Sequence, residues 1–425
     1  MSDIVSLRNL LSGAAKFDSG KQGLGALRNQ ARAEFVAHGL PTRRLETWKY
    51  SDLSQALNET TRPAEAPRDA LTIPGAAQAR FENGVLDANS DFHRIGALSL
   101  MPVLAGAAPD LAAQIGTVNP LKDHPIVNLN TAVMSDGLVL NVGKGVSGPL
   151  HVSFIWRPEE GMRAPEGGHL RLFIQIEKDT EFTLIETHDG ASSLATIVSE
   201  FRLANGARLN HLRIDRLGPA ARQSAVTLAE IGAAASYRAF YLSEGGHFAR
   251  HEAQLKLIGE EARANIDGAY LVGNGRHCDN TTVMTHAAPN TSSRQSFRGV
   301  LAGRSRGVFQ GCVQVAQEAQ RTDAYQMSRA LLLSREAEIA TKPELEIFAD
   351  DVKCSHGATA GELDAAALFF LRARGIPEAE ARALLVRAFL FEAFDAIESA
   401  DLRDLVSSCS DTWLEHHAKE VNHVG

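Results

Sequence analysis

A thiol and an imidazole lie two residues apart near the C-terminal end of the chain, in the triplet Cys354-Ser355-His356. In an extended chain, residues i and i+2 point to the same side, so both side chains could face one ion. Thiolate suits iron–sulfur chemistry, and imidazole also binds iron. One Cys and one His supply at most half of a four-ligand site. A cluster here would therefore need ligands from a second chain.

The alternative interpretation of Cys354 is structural, because a free cysteine is commonly a small buried hydrophobic residue. For His356, we expect a position on a loop between the last strand of the core and a helix that begins after Asp364. The triplet alone does not decide between a ligand role and a packing role.

Three other clusters carry residue types that could bind a ligand. His277-Cys278-Asp279, with His286, has side chains that bind transition metals. We expect His277 and Asp279 to lie in a Gly- and Asn-rich turn, GNGRHCDNTT, where such side chains usually satisfy backbone groups. Arg304-Ser305-Arg306 and Lys342-Pro343-Glu344 could hold an anion, although such charges more often form a solvated rim. We favour the structural interpretation for all three.

Two common catalytic motifs are missing from the sequence. It contains no GxxxxGK[ST] phosphate-binding loop and no HExxH. We therefore predict that the chain is not an enzyme, that it has no catalytic residues and that it does not bind ATP itself.

Composition limits the partners and the compartment. The net charge is −8 and the isoelectric point about 6.0, which argues against nucleic acid or an anionic membrane as a partner. The N-terminus has no apolar signal region, and the most apolar stretch, Leu98 to Pro109, is too short for a membrane span of ~18 residues. The widely spaced cysteines, without a CxxC pair, favour reduced thiols in the cytoplasm. They are Cys278, Cys312, Cys354 and Cys409.

Helical and strand-like patterns divide the chain. Leu24 to His38 has helical apolar spacing and stops at Gly39, and a second helix is predicted around Met101 to Leu111. Thr61 to Pro74 is rich in Pro and Ala and is interpreted as a linker. From about Pro125 to Ala349, short segments with period-two alternation predict strands, with no long helical pattern between them.

A faint repeat runs through the strand-rich part. Ile174, Phe201, Leu228 and Leu255 are each 27 residues apart, and each is soon followed by a polar or glycine-rich turn. A fixed period of this length is typical of stacked coils, since each coil buries its apolar face against its neighbours. An antiparallel sandwich with evenly spaced strands is the other interpretation. The repeat alone leaves both open.

The C-terminal part is predicted to be helical. Asp364 is a good N-cap for AAALFFLRAR, and Pro377 suits the start of a longer helix. Two shorter helices are expected at Asp401 to Ser408 and Asp411 to Val421. An apolar helix at the edge of a domain packs on its own chain or binds another subunit. The predicted apolar face of the longer helix comprises Ala381, Leu384, Leu385, Ala388, Phe389 and Phe391.

The stretch from Gly268 to Phe394 resembles the SufB/SufD family of the Suf iron–sulfur cluster assembly system. Within that family, three segments resemble the SufD branch more than the SufB branch. They are RLETWKYSDL (44–53), TKPELEI (341–347) and CSHGAT (354–359). The resemblance implies a mainly β protein, with a right-handed parallel β-helix (solenoid) flanked by helical regions. We accordingly divide the chain into an N-terminal region (1–120), a β-helix core (121–360) and a C-terminal helical region that docks an ATPase (361–425).

The resemblance also implies a role and partners. The chain would be a non-catalytic scaffold subunit that pairs with SufB through the β-helices and docks SufC, an ABC-type ATPase, on its C-terminal helices. It would help iron acquisition and the assembly of a nascent cluster at the SufB–SufD interface. His356, and with it Cys354, would be metal ligands shared with the partner chain. The isolated chain would hold no stable cofactor, and only the ATPase would bind ATP. The resemblance does not decide whether the isolated chain forms a homodimer.

Two rival functions remain at this point. A SufB-type principal cluster scaffold is the first, since both branches share the fold. A β-helix enzyme acting on polysaccharide is the second. Such enzymes are mostly exported and need acidic or basic residues clustered on one sheet face, and the missing signal region argues against this function.

Overall fold

A computed structural model describes residues 10–11, 24–61, 63–104, 108–120, 124–158, 164–273 and 275–417. Nineteen strands form two sheets in this part of the chain. They are β1 (Ala77–Glu82), β2 (Val85–Leu86), β3 (Leu98–Ser99), β4 (Asp136–Val142), β5 (Leu150–Trp156), β6 (His169–Ile176), β7 (Glu181–Gly190), β8 (Ala195–Leu203), β9 (Arg208–Leu217), β10 (Arg222–Ile231), β11 (Ser236–Ser243), β12 (Phe248–Leu257), β13 (Arg263–Val272), β14 (His277–His286), β15 (Ser292–Leu301), β16 (Arg306–Val315), β17 (Asp323–Leu332), β18 (Glu338–Ile347) and β19 (Lys353–Gly361).

The helices lie before, between and after the strands. They are α1 (Gly25–His38), α2 (Leu53–Asn58), α3 (Leu100–Leu104), α4 (Pro109–Ala112), α5 (Pro125–Val133), α6 (Ala365–Ala373), α7 (Glu378–Phe394) and α8 (Ala400–His416), with 3-10 turns at Glu46–Trp48 and Phe92–Ile95. No helix in the described ranges is both long enough and apolar enough to cross a membrane.

From β4 onward the chain alternates between the two sheets, so that one strand of each sheet makes one coil. Sheet A has the order β19-β17-β15-β13-β11-β9-β7-β5-β1-β2, and sheet B has the order β18-β16-β14-β12-β10-β8-β6-β4-β3. Neighbouring strands pair in parallel along both sheets. Among the described strands, only the short β2 and β3 at the N-terminal end pair antiparallel. This parallel arrangement confirms the solenoid and excludes the antiparallel sandwich.

The space between the two sheets, called the lumen below, holds the central core. Successive side chains of a strand point to opposite faces, so every second residue enters the lumen. In β7, Phe182 and Leu184 belong to the lumen core, whereas Ile185 packs on the outside of sheet A. Since each coil covers the apolar side chains of the next, the solenoid is stable only as a stack.

The 27-residue repeat is correct for three of its four positions. Ile174 pairs with Phe201, as a repeat requires. Phe201 then pairs with Ala229, and Ala229 with Leu255, so Leu228 is one residue out of register. Leu228 consequently faces outward, into a cluster outside sheet B. A one-residue slip moves a strand side chain to the opposite face, which is the reason for the error.

A residue with positive φ marks the turn from sheet B to sheet A in six successive coils: Asp179, Gly206, Ala234, Glu261, Asn290 and Arg321. The backbone N–H of each donates to a carbonyl in the turn of the next coil, for example from Gly206 to Ala233 (2.8 Å) and from Arg321 to Asp351 (2.6 Å). The left-handed region costs residues other than Gly about 1–2 kcal/mol. These inter-coil hydrogen bonds offset that cost.

Helices cover the outer faces of both sheets. On sheet B, α5 contacts β6, β8 and β10, and α1 packs on α5. On sheet A, α7 contacts β13 and β15, and α8 packs on α7. Both layers bury apolar side chains against the outer faces of the strands. The N-terminal region also contributes strands to the sheets, because β1 pairs with β5.

Two helix predictions hold in detail. Helix α1 ends at His38, and Gly39 follows it with φ of 72°. The Asp364 side chain accepts hydrogen bonds from the backbone N–H groups of Ala366 and Ala367 at the start of α6. Local capping chemistry fixed both ends.

Other predictions need correction. Pro125–Val133 is a helix although strands were predicted from Pro125 onward; nearly every residue is buried, so no amphipathic pattern shows. The helix predicted from Met101 to Leu111 is instead α3 and α4, and residues 105–107 between them lie outside the described ranges. Helix α8 is continuous where two helices were expected, and the predicted end at Val421 also lies outside the described residues.

The buried face of α7 also differs from the prediction. The buried side chains are Ala381, Val386, Leu390, Ala393 and Phe394. Of the face predicted from the sequence, Ala381 is buried, Leu385 and Phe389 are partly buried, and Leu384, Ala388 and Phe391 are exposed. The helix is apolar on more than one side, so spacing alone could not choose the face that packs on sheet A.

Candidate functional site

The solenoid ends at β18 and β19, which are the last strands of sheets B and A. Among the described residues, no strand pairs with the outer edge of either one. The lack of a next strand leaves β19 open to solvent: most of its residues are exposed, whereas most residues of β13, in the middle of sheet A, are buried. At the corner between the two strands, Phe348 is 70% exposed. Unpaired strand edges of this length are templates for pairing with another chain.

Cys354 and His356 lie in β19, at this open end. Cys354 pairs in register with Ala324, and His356 with Gln326. Ala324 belongs to the lumen core, so both residues lie on the lumen-facing side of the last strand. The prediction that they share one side is correct, with a separation of roughly 6.6 Å along the strand. The prediction that His356 lies on a loop is wrong, because β19 continues to Gly361.

The two side chains have different surroundings. Cys354 is partly buried and packs against the lumen core. Burial raises the pKa of its thiol, so the thiol keeps its proton at neutral pH unless a cation approaches. His356 is exposed, which leaves its ring open to a second chain. Nowhere in the described ranges do three or more His, Cys, Asp or Glu side chains lie together so that they could hold a metal ion.

The lumen of the middle coils contains a buried charged network that the sequence analysis missed. Glu186 lies 3.2 Å from His211, 3.3 Å from His188 and 3.3 Å from Arg213, and Arg213 also contacts Asp215 at 3.1 Å. All five side chains are buried. Burial by itself would raise the Glu186 pKa, but hydrogen bonds to His188 and His211 and the nearby charge of Arg213 hold it well below its usual range.

A sequence signal for this network exists. In β9, His211, Arg213 and Asp215 occupy every second position, and they alternate with Leu212 and Ile214. Such alternation normally indicates that the polar residues face water. Here the outer face is apolar because the C-terminal helices cover it, and the polar residues enter the lumen. The network is internally paired and closed to solvent, which fits a structural role.

The cluster around His277 also has a structural role. These residues lie in strand β14, not in a turn as predicted. His277 Nε2 lies 2.9 Å from Ser51 Oγ, and Ser51 Oγ donates to Asp279 at 2.5 Å. Cys278 points the other way, into the lumen, where burial raises its thiol pKa to about 12. His277 and Asp279 therefore attach the N-terminal segment to sheet B, and Cys278 does not join them.

The charged rim residues are paired as well. Lys342 contacts Glu46 at 2.5 Å and Glu344 at 3.1 Å, and Arg304 contacts Glu336 at 2.9 Å. The contact between Lys342 and Glu46 links the 44–53 segment to β18. Ion pairs, rather than a bound anion, account for the charges of Arg304 and Lys342.

The C-terminal helices carry an exposed apolar surface. Phe369 is 73% exposed, Phe370 54% and Phe391 47%. We call these residues, together with the exposed Leu384, the aromatic surface. Phe391 lies beside the buried Phe394, with ring centroids 5.6 Å apart, and Phe394 packs on sheet A, where its ring centroid is 5.8 Å from that of Phe240. Helix α7 thus contacts the solenoid through Phe394 and exposes the neighbouring Phe391.

Comparison with known proteins identifies relatives along most of the chain. Residues 160–389, a little over half of the chain, match the family described as "SUF system FeS cluster assembly, SufBD core domain". An iron–sulfur cluster assembly SufBD family protein of Synechocystis is 30% identical over 399 residues, covering 87% of this chain and 86% of the relative. The iron–sulfur cluster assembly protein SufD of Escherichia coli is 29% identical over 391 residues, covering 88% and 89%. A SufBD family protein of Mycobacterium tuberculosis is 30% identical over 266 residues, covering 61% and 66%.

Proposed function

This chain belongs to the SufBD family of iron–sulfur cluster assembly proteins, and from that premise we propose that it is a SufD-type, non-catalytic scaffold subunit of a cytoplasmic assembly complex. It pairs with a SufB-type paralogue, docks a SufC-type ATPase and contributes ligands to a nascent cluster, which is the substrate of the complex. The observation that carries this proposal is the open end of the solenoid, where Cys354 and His356 lie beside unpaired strand edges.

Pairing with the paralogue uses the edges of β18 and β19. Each edge is a row of backbone N–H and C=O groups that another solenoid of the same family can extend. Phe348 and the partly exposed Ile347 add apolar surface at the corner between the strands. A second copy of this chain has the same edges, so the isolated chain could also pair with itself.

The cluster site forms across this interface. His356 supplies an imidazole nitrogen from an exposed position, and Cys354 supplies sulfur if the approaching iron displaces the thiol proton. Two ligands are half of a four-ligand site, and the paralogue contributes the others. His356 is the main ligand because it needs no change of burial, whereas Cys354 is already used in packing.

The ATPase docks on the aromatic surface. Exposed aromatic side chains are typical of a binding surface, and Phe369 and Phe370 lie on α6 without a covering element in the described part of the chain. Because α7 also packs on β13 and β15, a movement of the docked ATPase would reach the solenoid through that helix. ATP binding and hydrolysis belong to the ATPase.

Two substitutions test the ligand role in cells. His356→Ala removes a ligand at an exposed position, so the complex should still form with both partners but should not mature clusters. Cys354→Ala is expected to be milder. The measurement is the yield of purified complex against its iron–sulfur absorbance after co-expression. A normal cluster yield from His356→Ala would refute the ligand role.

The docking surface needs point substitutions, because deleting the helices would uncover the apolar outer face of sheet A. Phe369→Ser should abolish co-purification of the ATPase without affecting pairing with the paralogue. Phe394→Ser is the contrasting variant, since that buried side chain supports the fold instead. Undiminished capture of the ATPase by Phe369→Ser would place the docking surface elsewhere.

The alternative function is that of a SufB-type principal scaffold. Mass determination of the co-purified proteins separates the two: a SufD-type subunit brings down an ATPase with a P-loop and a distinct paralogue. The pure chain should show no ATPase activity in either case. Turnover that survives removal of contaminating ATPases would contradict the scaffold role.

A further inference from the structure

Three polar side chains lie in register on the lumen side of sheet A near its open end. Gln295 in β15 pairs with Gln326 in β17, and Gln326 pairs with His356 in β19. Neighbouring strands are about 4.8 Å apart, so side chains at paired positions are in reach of each other. The last amide of this ladder is therefore next to the imidazole of His356.

The two amides differ in their hydrogen bonds. The Oε1 atom of Gln295 accepts a hydrogen bond from Thr282 Oγ1. Gln326 is fully buried, and within the described residues neither its Oε1 nor its Nε2 atom has a partner. A buried amide without partners costs about 1–3 kcal/mol. On the facing sheet B, Gly311 is close to this amide, since a Cβ atom at Gly311 would lie 2.9 Å from Gln326 Oε1, but it has no side chain that could hydrogen-bond it.

We propose that Gln326 is a positioning residue for His356, with its Oε1 atom accepting a hydrogen bond from one N–H of the imidazole ring. A neutral imidazole has one N–H and one bare nitrogen. When Gln326 holds the N–H, the bare nitrogen is the one that faces away from the lumen, toward the second chain. This inference rests on the proposed function, because the imidazole ring needs this orientation if His356 is an iron ligand.

The chemistry favours an amide oxygen in this role. A histidine that ligates a metal usually donates its other ring N–H to a carbonyl or carboxylate, which fixes the tautomer and the ring orientation. An amide achieves this without adding a charge to the lumen. The reverse orientation, with Gln326 Nε2 donating to the ring, would occupy the lone pair that iron needs. The sequence could not reveal that these two residues pair in register, since they are 30 positions apart.

The tautomer of His356 tests the contact directly, in the isolated full chain without iron. The chain is labelled with ¹⁵N-histidine, the tautomer is read from long-range ¹H–¹⁵N correlations, and the His356 signals are assigned by their loss in His356→Ala. The wild-type chain should show one dominant tautomer. In Gln326→Leu, which removes both polar atoms, both tautomers should be populated. Gln326→Glu keeps an acceptor oxygen and should restore the single tautomer.

The matched control is Gln295→Leu, which removes an equally buried amide of the same ladder that does not adjoin His356. It should keep the wild-type tautomer. An unchanged tautomer in Gln326→Leu, or an equal change in Gln295→Leu, overturns the proposal. Because this measurement contains no iron, it is independent of the test of the proposed function, in which His356→Ala is scored by cluster yield.

A second measurement uses the co-expressed complex. Loss of the residue that orients a metal-ligating histidine typically weakens metal affinity by about 10- to 100-fold. Gln326→Leu should lower the iron affinity of the purified complex by that factor without changing its composition, and Gln295→Leu should not. Equal iron affinity in wild-type and Gln326→Leu complexes would contradict the positioning role.

Discussion

Equivalent strand positions have different surroundings in the middle of the solenoid and in its last coil. One row of paired positions on the lumen side of sheet A runs through Ile266, Gln295, Gln326 and His356. The first three are fully buried, and only His356 is exposed. Burial in this fold therefore depends on the presence of a next coil more than on the sequence of a strand.

The same contrast holds for polar side chains. In the middle, Glu186 is enclosed by His188, His211 and Arg213, and the charges compensate each other. At the end, His356 and the edges of β18 and β19 are left for another molecule. The compensated charges stabilise the middle of the solenoid, whereas the open end leaves groups that can bind another molecule. Four predictions test this difference, from the largest expected effect to the smallest.

Removing the central carboxylate should have the largest effect. Glu186→Ala removes the carboxylate shared by Arg213, His188 and His211 and leaves the buried Arg213 with Asp215, and breaking a buried pair typically costs about 3–5 kcal/mol. Urea unfolding followed by circular dichroism should show a loss of that size in the free energy of unfolding. A loss below about 1 kcal/mol would mean that the network contributes little.

Acid should destabilise the middle of the solenoid through its buried histidines. Burial lowers the pKa of His286 from 6.5 to about 4. Between these values the unfolded chain binds a proton that the folded chain does not, so stability falls as the pH drops from about 6.5 to 4, by about 3 kcal/mol for this residue at most. Burial also lowers the pKa values of His151, His169 and His277 to about 4. Burial raises the pKa values of Asp189 and Asp267 to about 6, which favours the folded chain as the pH falls. The four histidines together outweigh these two carboxyl groups, so the net effect of acid is destabilising.

The measurement is the unfolding free energy at pH 7 and at pH 4.5, in the wild-type chain and in His286→Gln. The glutamine can still hydrogen-bond Thr291 and Ser293, the partners of His286, but it does not titrate. His286→Gln should therefore lose less stability on acidification than the wild-type chain. Parallel pH profiles would show that His286 is not a source of the acid sensitivity.

Alanine substitutions at two glycines of sheet A compare the packing of a middle coil with that of the last coil. A Cβ at Gly299 would lie 2.2 Å from the ring of the fully buried Tyr270, whereas a Cβ at Gly361 meets nothing within 4 Å. Gly299→Ala should cost about 1–3 kcal/mol through overpacking. Gly361→Ala should change stability by less than about 0.5 kcal/mol. Equal shifts of the urea midpoint would remove the distinction between a closed and an open coil.

The smallest effect is expected at the candidate ligand. His356→Ala should change the free energy of unfolding by no more than about 0.5 kcal/mol, because the side chain is exposed. Thermal and urea unfolding of the isolated chain measure this. A loss of several kcal/mol would show that His356 supports the fold. A failure of His356→Ala to mature clusters in cells could then not be interpreted as the loss of a ligand.

Local signals in the sequence were sufficient where the structure depends on neighbouring residues. The cap at Asp364 and the end of α1 at Gly39 were predictable for this reason. The error at Leu228 arose because the coil from Phe201 to Ala229 is one residue longer than the period. Pro125–Val133 was misassigned because a helix buried on nearly all sides shows no periodicity.

For the candidate site, the residue types were predictable and their environment was not. Cys354 and His356 stand out in the sequence, and their shared side follows from strand geometry. The neighbour of His356 is Gln326, and that pairing depends on the length of every turn between them. Turn lengths vary: four residues separate β8 from β9, whereas seven separate β16 from β17. A register across coils is therefore a tertiary property.

The ladder of left-handed turns has a consequence for how the protein could change in length. Each coil begins at an equivalent backbone point, so a segment such as 206–233 is a module that could in principle be duplicated or lost without breaking the hydrogen bonds between turns. The outer helices oppose such a change. Helix α5 reaches across β6, β8 and β10, and α7 across β13 and β15, so an added coil would shift one end of each contact by a full strand spacing. The repeats allow many lengths, and the helices select one.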